Sequence, residues 1–352
     1  MMSFKDCFLA DKIKRGSLLL LLFYFMSCES PQPLPGWSGM TMGTTYQVKI
    51  DSTDLSDNQL QLIRTQVDSA LKEVNRQMST YDPGSEISRF NSYERTEPFE
   101  VSYEFANVVK KALQIYESSD HAFDITVAPL VNLWGFGAEG HRITPPTKMD
   151  VGKVLKNIGS HQLEIVNDRS LKKNNPKVQL NLGAIAKGYG VDIVVLVLRK
   201  YGFKSFMVEI GGEVYAQGEK SGGNLWRIGI DTPNLASMPG QDLQAILNLR
   251  DVAVATSGDY RNYFEYDNNI YSHTINPKTG YPVEHNLASV TVIALNCMEA
   301  DGLATAVMVM GKEAGMRYIE SIPNTEAYFI VRKDKTTYET YQTSGFGKYL
   351  IN

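Results

Sequence analysis

Asp301 and Thr305 lie four apart in Glu299-Ala300-Asp301-Gly302-Leu303-Ala304-Thr305-Ala306. On a helix that spacing sets a carboxylate and a hydroxyl on one face. The flanking residues are small or apolar, so the face reads as partly buried, and a buried carboxylate needs a partner. A hard cation suits it, because Mg²⁺ takes oxygen ligands, often one or two carboxylates with phosphate and water. A plainer use fits the same residues: an acid favoured by the dipole at a helix start, with the threonine bonded back to its own helix.

His273 stands in Ser272-His273-Thr274-Ile275-Asn276-Pro277-Lys278-Thr279-Gly280, which ends a strand in a tight turn. A histidine there is a candidate general base or an ordinary capped surface residue. Asp124 is the one acid in an apolar and aromatic run from Ala122 and Phe123 to Gly137. It reads as a polar hook on a pocket wall or as a core carboxylate capping a local turn. Met42 and Tyr81 could pack on a planar ring, or serve core and turn.

Gln179-Leu180-Asn181-Leu182-Gly183-Ala184-Ile185-Ala186-Lys187-Gly188-Tyr189-Gly190 follows a short apolar run from Val178. It opens a helical pattern with Val191, Val194, Val195 and Leu198 on one face. A strand–helix join presents free N–H groups and the positive end of a helix dipole, both of which attract phosphate. Lys187 adds a mobile cation. The three glycines permit close approach, to a ligand or to a neighbouring element.

The elements around these residues follow from periodicity. Thr44 to Ile50 reads as a strand. Leu60, Ile63, Val67, Leu71, Val74 and Met78 step by three and four as an amphipathic helix that stops before the turn Tyr81-Asp82-Pro83-Gly84. Phe105 to Tyr116 and Val151 to Ile158 predict two more helices. Strands are predicted over 206–210, 213–217, 226–230, 245–249, 252–256, 270–274, 289–294 and 327–331, with a helix over 299–310. The predicted fold is a single α+β domain, residues 40–352, with a large mixed or antiparallel sheet flanked by helices.

The chain has 352 residues, 43% hydrophobic and 21% charged, with net charge −4. Residues 1–27 carry +2, which leaves −6 on the remainder and argues against general nucleic-acid binding. Lys12, Lys14 and Arg15 precede the apolar run Leu18 to Met26, too short to span a bilayer but suited to a signal-peptide core. The run ends Phe25-Met26-Ser27-Cys28, which resembles the lipobox of bacterial lipoproteins. That resemblance implies cleavage before Cys28 and lipidation of its thiol. Residues 28–39, rich in proline, read as a tether. Cys7, Cys28 and Cys297 are the only cysteines. Once Cys7 is removed and Cys28 lipidated, Cys297 has no disulfide partner, and its apolar neighbours make it a core residue.

Eight segments, in order, resemble the ApbE family of FAD:protein FMN transferases. They are Met42-Gly43-Thr44-Thr45-Tyr46; Met78-Ser79-Thr80-Tyr81 with Ser88-Arg89-Phe90-Asn91; Phe123-Asp124-Ile125-Thr126 through Trp134-Gly135-Phe136-Gly137; Asn181 to Gly188; Glu209-Ile210-Gly211-Gly212-Glu213; Thr256-Ser257-Gly258-Asp259-Tyr260; Ser272 to Pro277; and Ala300-Asp301 with Thr305. The resemblance implies an ApbE-like, T-fold-like domain that binds FAD and Mg²⁺. It implies transfer of FMN through a phosphoester bond to a Thr or Ser hydroxyl of a partner protein, releasing AMP. FAD contacts carry over to Met42, Tyr81, Ala122, Phe123, Asp124, Asn181, Lys187 and Ile275. Metal ligands carry over to the carbonyl of Ala184, the carboxylate of Asp301 and the hydroxyl of Thr305. Some relatives have an acid where Ala304 or Asn181 stands here. His273 is the chosen base for the acceptor hydroxyl. The resemblance further implies a lipid-anchored protein on the inner membrane, facing the periplasm, whose acceptor is a flavoprotein subunit of a membrane redox complex. Two other readings are a Mg²⁺-dependent FAD pyrophosphatase, which would use the same site with water as the acceptor, and a lipoprotein that stores FAD without catalysis, which would need neither metal nor base and so leaves Asp301, Thr305 and His273 without a role.

Overall fold

The protein is described by a computed structural model over residues 34–52, 55–234, 238, 240–260, 262–267, 269–334 and 337–351. The signal segment, Cys28 and the first part of the tether lie outside the described residues. The chain enters a sheet through β1 (Gly36–Thr41) and β2 (Thr44–Ile50), a hairpin closed by Met42-Gly43. Both turn residues have positive φ, 49° and 73°, as a two-residue turn matched to strand twist requires. This hairpin corrects the tether boundary at residue 39. Gly36 to Gly39 are ladder residues, and Trp37 is buried with its indole N–H donated to the Tyr46 hydroxyl at 3.2 Å.

Helix α1 (Asp57–Met78) starts in a capping box between Ser56 and Gln59 and buries the predicted stripe from Ile63 to Met78. Then come α2 (Glu86–Ser92), β3 (Phe99–Glu100) and α3 (Tyr103–Ser118), with Ser85 and Ser102 capping the two helices. Helices α4 (Ala128–Leu133) and α5 (Lys148–Leu155) lead into β4 (Leu163–Asn167) and β5 (Ser170–Lys173), which pair with β3 in a small sheet. After α6 (Ala186–Lys200) the chain is strand-rich: β6 (Phe206–Ile210), β7 (Glu213–Gln217), β8 (Trp226–Asp231), β9 (Leu243–Leu249), β10 (Val252–Gly258), β11 (Tyr263–Tyr266), β12 (Asn269–Ser272) and β13 (Leu287–Ala294). It closes with α7 (Cys297–Met310), α8 (Lys312–Glu320), β14 (Glu326–Arg332) and β15 (Tyr338–Gln342).

The main sheet has eight strands in the order β1-β2-β6-β7-β10-β13-β14-β15, and every neighbouring pair is antiparallel. Alternate residues feed two cores. Phe206, Val208, Ile210, Ala253 and Ala255 meet α1 and α6 on one face. Met207, Val214, Ala216 and Val254 meet the β8–β9 hairpin on the other. With both faces covered, β13 is buried at all eight positions. Each such Val or Ile contributes roughly 1.5–3 kcal/mol of apolar burial.

No strand leads into Gln179–Gly190, contrary to the sequence reading. Val178 is buried, but Gln179 makes only an isolated bridge to Val127. The loop is held instead by a side chain. Asn91, at the end of α2, donates to Leu180 O at 2.9 Å and accepts from Leu180 N at 2.7 Å, as a strand neighbour would. Lys173 is buried beside it and donates to Asn91 O at 3.2 Å. Burial pushes that ammonium down to about 8. The 270–274 strand also ends early, at Ser272, so His273 leaves the ladder.

Asn91→Ala would leave both buried backbone groups of Leu180 unpaired. The expected loss is about 2 kcal/mol of unfolding free energy, read from the urea midpoint. An unchanged midpoint would show that the loop holds itself.

Candidate functional site

An open cleft of about 920 Å³ lies where the hairpin turns Met42-Gly43 and Gly211-Gly212 meet the start of α6, the face of α7 and the end of β10. That volume is at the upper end for small-molecule pockets. Met42, Tyr81, Ala122, Phe123, Asp124, Asn181, Ala184, Lys187, His273, Ile275, Asp301 and Thr305 all line it. Residues separated by up to 263 positions are thus gathered on one surface, since Met42 and Thr305 both face it.

The floor is built by two helices that cap one another. The first residue of α6, Ala186, has no side-chain cap from its own chain neighbour Ile185. Asp301, on α7, supplies one: its Oδ2 accepts from Gly188 N at 2.9 Å. In return Asp192 of α6 accepts from the first two N–H groups of α7, Cys297 at 2.8 Å and Met298 at 2.9 Å. Asn296 accepts from the third, Glu299, at 2.9 Å. The free N–H groups at the start of α7 are therefore accounted for across the helix pair. Asp301 does favour a helix dipole, but that of α6, since it stands beyond the first turn of α7. Gly188 makes the approach possible: a Cβ there would sit 2.2 Å from Cys297 O and 2.8 Å from Asp301 Cβ.

Lys187 Nζ donates to Glu213 Oε1 and lies 3.9 Å from Asp301 Oδ1. Asp301 is 3% exposed and Glu213 2%. Burial raises both carboxyls, Glu213 to about 8, against the lowering pull of Lys187. Burial alone would lower the Lys187 ammonium, but Asp301 and Glu213 overturn that and hold it raised. Glu213 Oε2 is buried without a hydrogen-bond partner. Two acids thus share one ammonium, and one carboxyl oxygen is left over. Sequence reasoning quoted Glu213 without giving it a role; a lone acid opening a buried strand after Gly211-Gly212 was the available signal.

Other predicted residues have local partners. Asp124 Oδ1 accepts from Thr126 N at 2.8 Å and from the hydroxyls of Thr126 and Ser160 at 2.6 and 2.7 Å, while Oδ2 accepts from Ser160 N at 3.1 Å. Its carboxylate thus caps a turn while its residue forms cleft wall. Asn181 Oδ1 accepts from Gly183 N at 2.8 Å, shaping the loop that carries Ala184. The Thr305 hydroxyl meets the Ser257 hydroxyl at 3.4 Å. Tyr81 stands 73% exposed at the rim. Met42 is half-buried, and Gly190 makes room for it, since a Cβ there would be 2.6 Å from its Cε.

His273 Nδ1 lies 3.1 Å from Asn262 O. A carbonyl only accepts, so Nδ1 carries the proton in this contact and Nε2 keeps its lone pair. Burial lowers the ring's basicity, keeping it neutral below its ordinary range. Cys297 is fully buried, and burial pushes its thiol well up, as befits a core residue.

This fold is shared with solved flavin transferases. The flavin transferase ApbE from Vibrio cholerae superposes with a TM-score of 0.81 at 41% identity, covering 90% of this chain and 99% of that one. The apo form of the Pseudomonas stutzeri flavinyl transferase ApbE gives 0.80 at 38%, covering 90% and 96%. By sequence the chain is 43% identical over 336 residues to a FAD:protein FMN transferase of Vibrio cholerae serotype O1, covering 95% of this chain and 97% of that protein. It is 32% identical over 351 residues to the FAD:protein FMN transferase of Escherichia coli K12, covering 96% and 97%. The ApbE family model matches residues 42–329, and the chain belongs to the ApbE family.

Gly188→Ala should force α6 and α7 apart. The expected cost is about 1–3 kcal/mol for overpacking, measured as a lower chemical denaturation midpoint. A midpoint equal to that of the natural chain would mean the helices yield without strain.

Proposed function

We propose that this protein transfers FMN from FAD to a Thr or Ser hydroxyl of a partner flavoprotein, releasing AMP, with Mg²⁺ at the acid cluster. The observation that carries the reading is the convergence of His273, Lys187, Asp301 and Thr305 on a single cleft. The names of its relatives point the same way.

The donor set suits a hard cation. Among the described residues no three His, Cys, Asp or Glu side chains are arranged around a metal position. A cation here would therefore draw on mixed oxygens: the Asp301 carboxylate, the Thr305 hydroxyl and the Ala184 carbonyl, all on the cleft wall. The orphaned Glu213 oxygen is a further oxygen beside that set without a partner. Bound there, Mg²⁺ would neutralise charge on a pyrophosphate.

The chain's own residues do the rest. The cleft's apolar wall, from Met42 and Phe123 to Ile275, holds a flat ring system, with Tyr81 at the rim. Lys187, on the cleft wall at the start of α6, supplies the positive charge for the phosphates. His273 Nε2 takes the proton of the acceptor hydroxyl as its oxygen bonds to the FMN phosphorus. The bond from that phosphorus to the AMP oxygen breaks, and AMP leaves with the electron pair. Export and lipid anchoring through Cys28, at the periplasmic face of the inner membrane, would bring the enzyme to a flavoprotein subunit of a membrane redox complex.

The test incubates the full chain with FAD, Mg²⁺ and a flavin-acceptor domain. Fluorescent flavin fixed to the acceptor on a denaturing gel is expected. Free FMN alone would make water the acceptor, and unchanged FAD would mean storage.

His273 also sets a pH signature. Protonation removes the base, so kcat/KM should fall on the acid side, with its midpoint below the ordinary histidine value of 6.5 because burial lowers it. His273→Ala should lower kcat by about 10²–10⁴-fold and abolish that limb. An unmoved limb in the variant would assign the base elsewhere.

A further inference from the structure

Lys187 holds the place where positive charge is wanted. Its ammonium lies between Glu213 and Asp301, hydrogen-bonded to the first and 3.9 Å from the second. Asp301 is also the carboxylate read above as a metal ligand, and the present inference rests on that reading. A divalent ion bound to Asp301 would repel an ammonium on the same carboxylate and so weaken the lysine's hold there. We propose that Lys187 is the resident counter-cation of this acid pair, and that Mg²⁺ expels its ammonium into the cleft, toward the pyrophosphate of FAD.

Three features make the exchange feasible. The two acids have one ammonium between them, and Glu213 Oε2 is buried without a hydrogen-bond partner, so the pair keeps an oxygen open to a further cation or donor. Asp301 does not depend on the lysine for its position, because its Oδ2 accepts from the Gly188 backbone at 2.9 Å. Lys187 has somewhere to go: its side chain is 30% exposed and lines the cleft. Its stem runs beside the Gly211-Gly212 turn, which borders the same cleft. A lysine suits this work, being a compact charge on a flexible four-carbon stem. Asp301 thus has a cation beside it in both states, and the phosphate-binding cation is released only once the metal is in place.

The test uses the full chain without FAD and Mg²⁺ alone. An acetylating reagent is applied briefly, and Lys187 acetylation is quantified by peptide mass spectrometry against exposed Lys72. Mg²⁺ should raise Lys187 labelling several-fold, and subsequent FAD should lower it again. Glu213→Gln should raise labelling without metal, since it loosens the hold on the ammonium. If Mg²⁺ raises the thermal midpoint but leaves Lys187 labelling unchanged, the expulsion is wrong while the metal reading stands. If Mg²⁺ changes neither, both fall. Labelling of Glu213→Gln equal to that of the natural chain would also overturn the proposal.

Discussion

Reciprocal capping between α6 and α7 is the constraint on which the site depends. Asp301 of one helix takes an N–H at the start of the other, and Asp192 returns the contact. Each carboxylate sits where a helix terminus favours negative charge. The arrangement needs the two backbones closer than any side chain at residue 188 would allow. From it follow the burial of Asp301, the raised carboxyls of Asp301 and Glu213, and the trapping of Lys187 between them. Burying such a cluster costs stability that an apolar core would not. Departures of this kind from the rules of a stable core concentrate at functional sites.

The sheet supplies the other half. Its antiparallel hairpins turn at Met42-Gly43 and Gly211-Gly212, and both turns border the cleft. Tight two-residue turns let the strand ends and the two helices approach a common edge. The sheet's two faces are filled by helices and by the β8–β9 hairpin, so the cleft sits at that edge with a rigid base. Tyr81 stands exposed at the rim, and His273 lies on the cleft wall just after the exposed β11–β12 hairpin.

Local pattern carried much of the fold. Strands β6 and β7 match their predicted spans because glycines bracket them and their residues suit a sheet buried on both faces. The stripe of α1 is legible because one helix face is apolar. Strand β1 was hidden by the prolines before it and by its own glycines, which make an edge strand look like a tether. The run at Val178 looked like a strand because it is apolar and buried, yet its partner is the Asn91 side chain. Asp192 and Asp301 bond across 105 and 113 residues, and such contacts leave no periodic trace. The resemblance to a known family marked the cleft residues; Glu213, which traps Lys187, carried no role until its burial was seen.

Calorimetric titration of the full chain with Mg²⁺, beside the Asp301→Ala variant, bears most directly on a cation site built by the α6–α7 pair. A saturable isotherm for the natural chain and none for the variant is the expected result. Equal isotherms for the two would contradict the placement of the cation at Asp301.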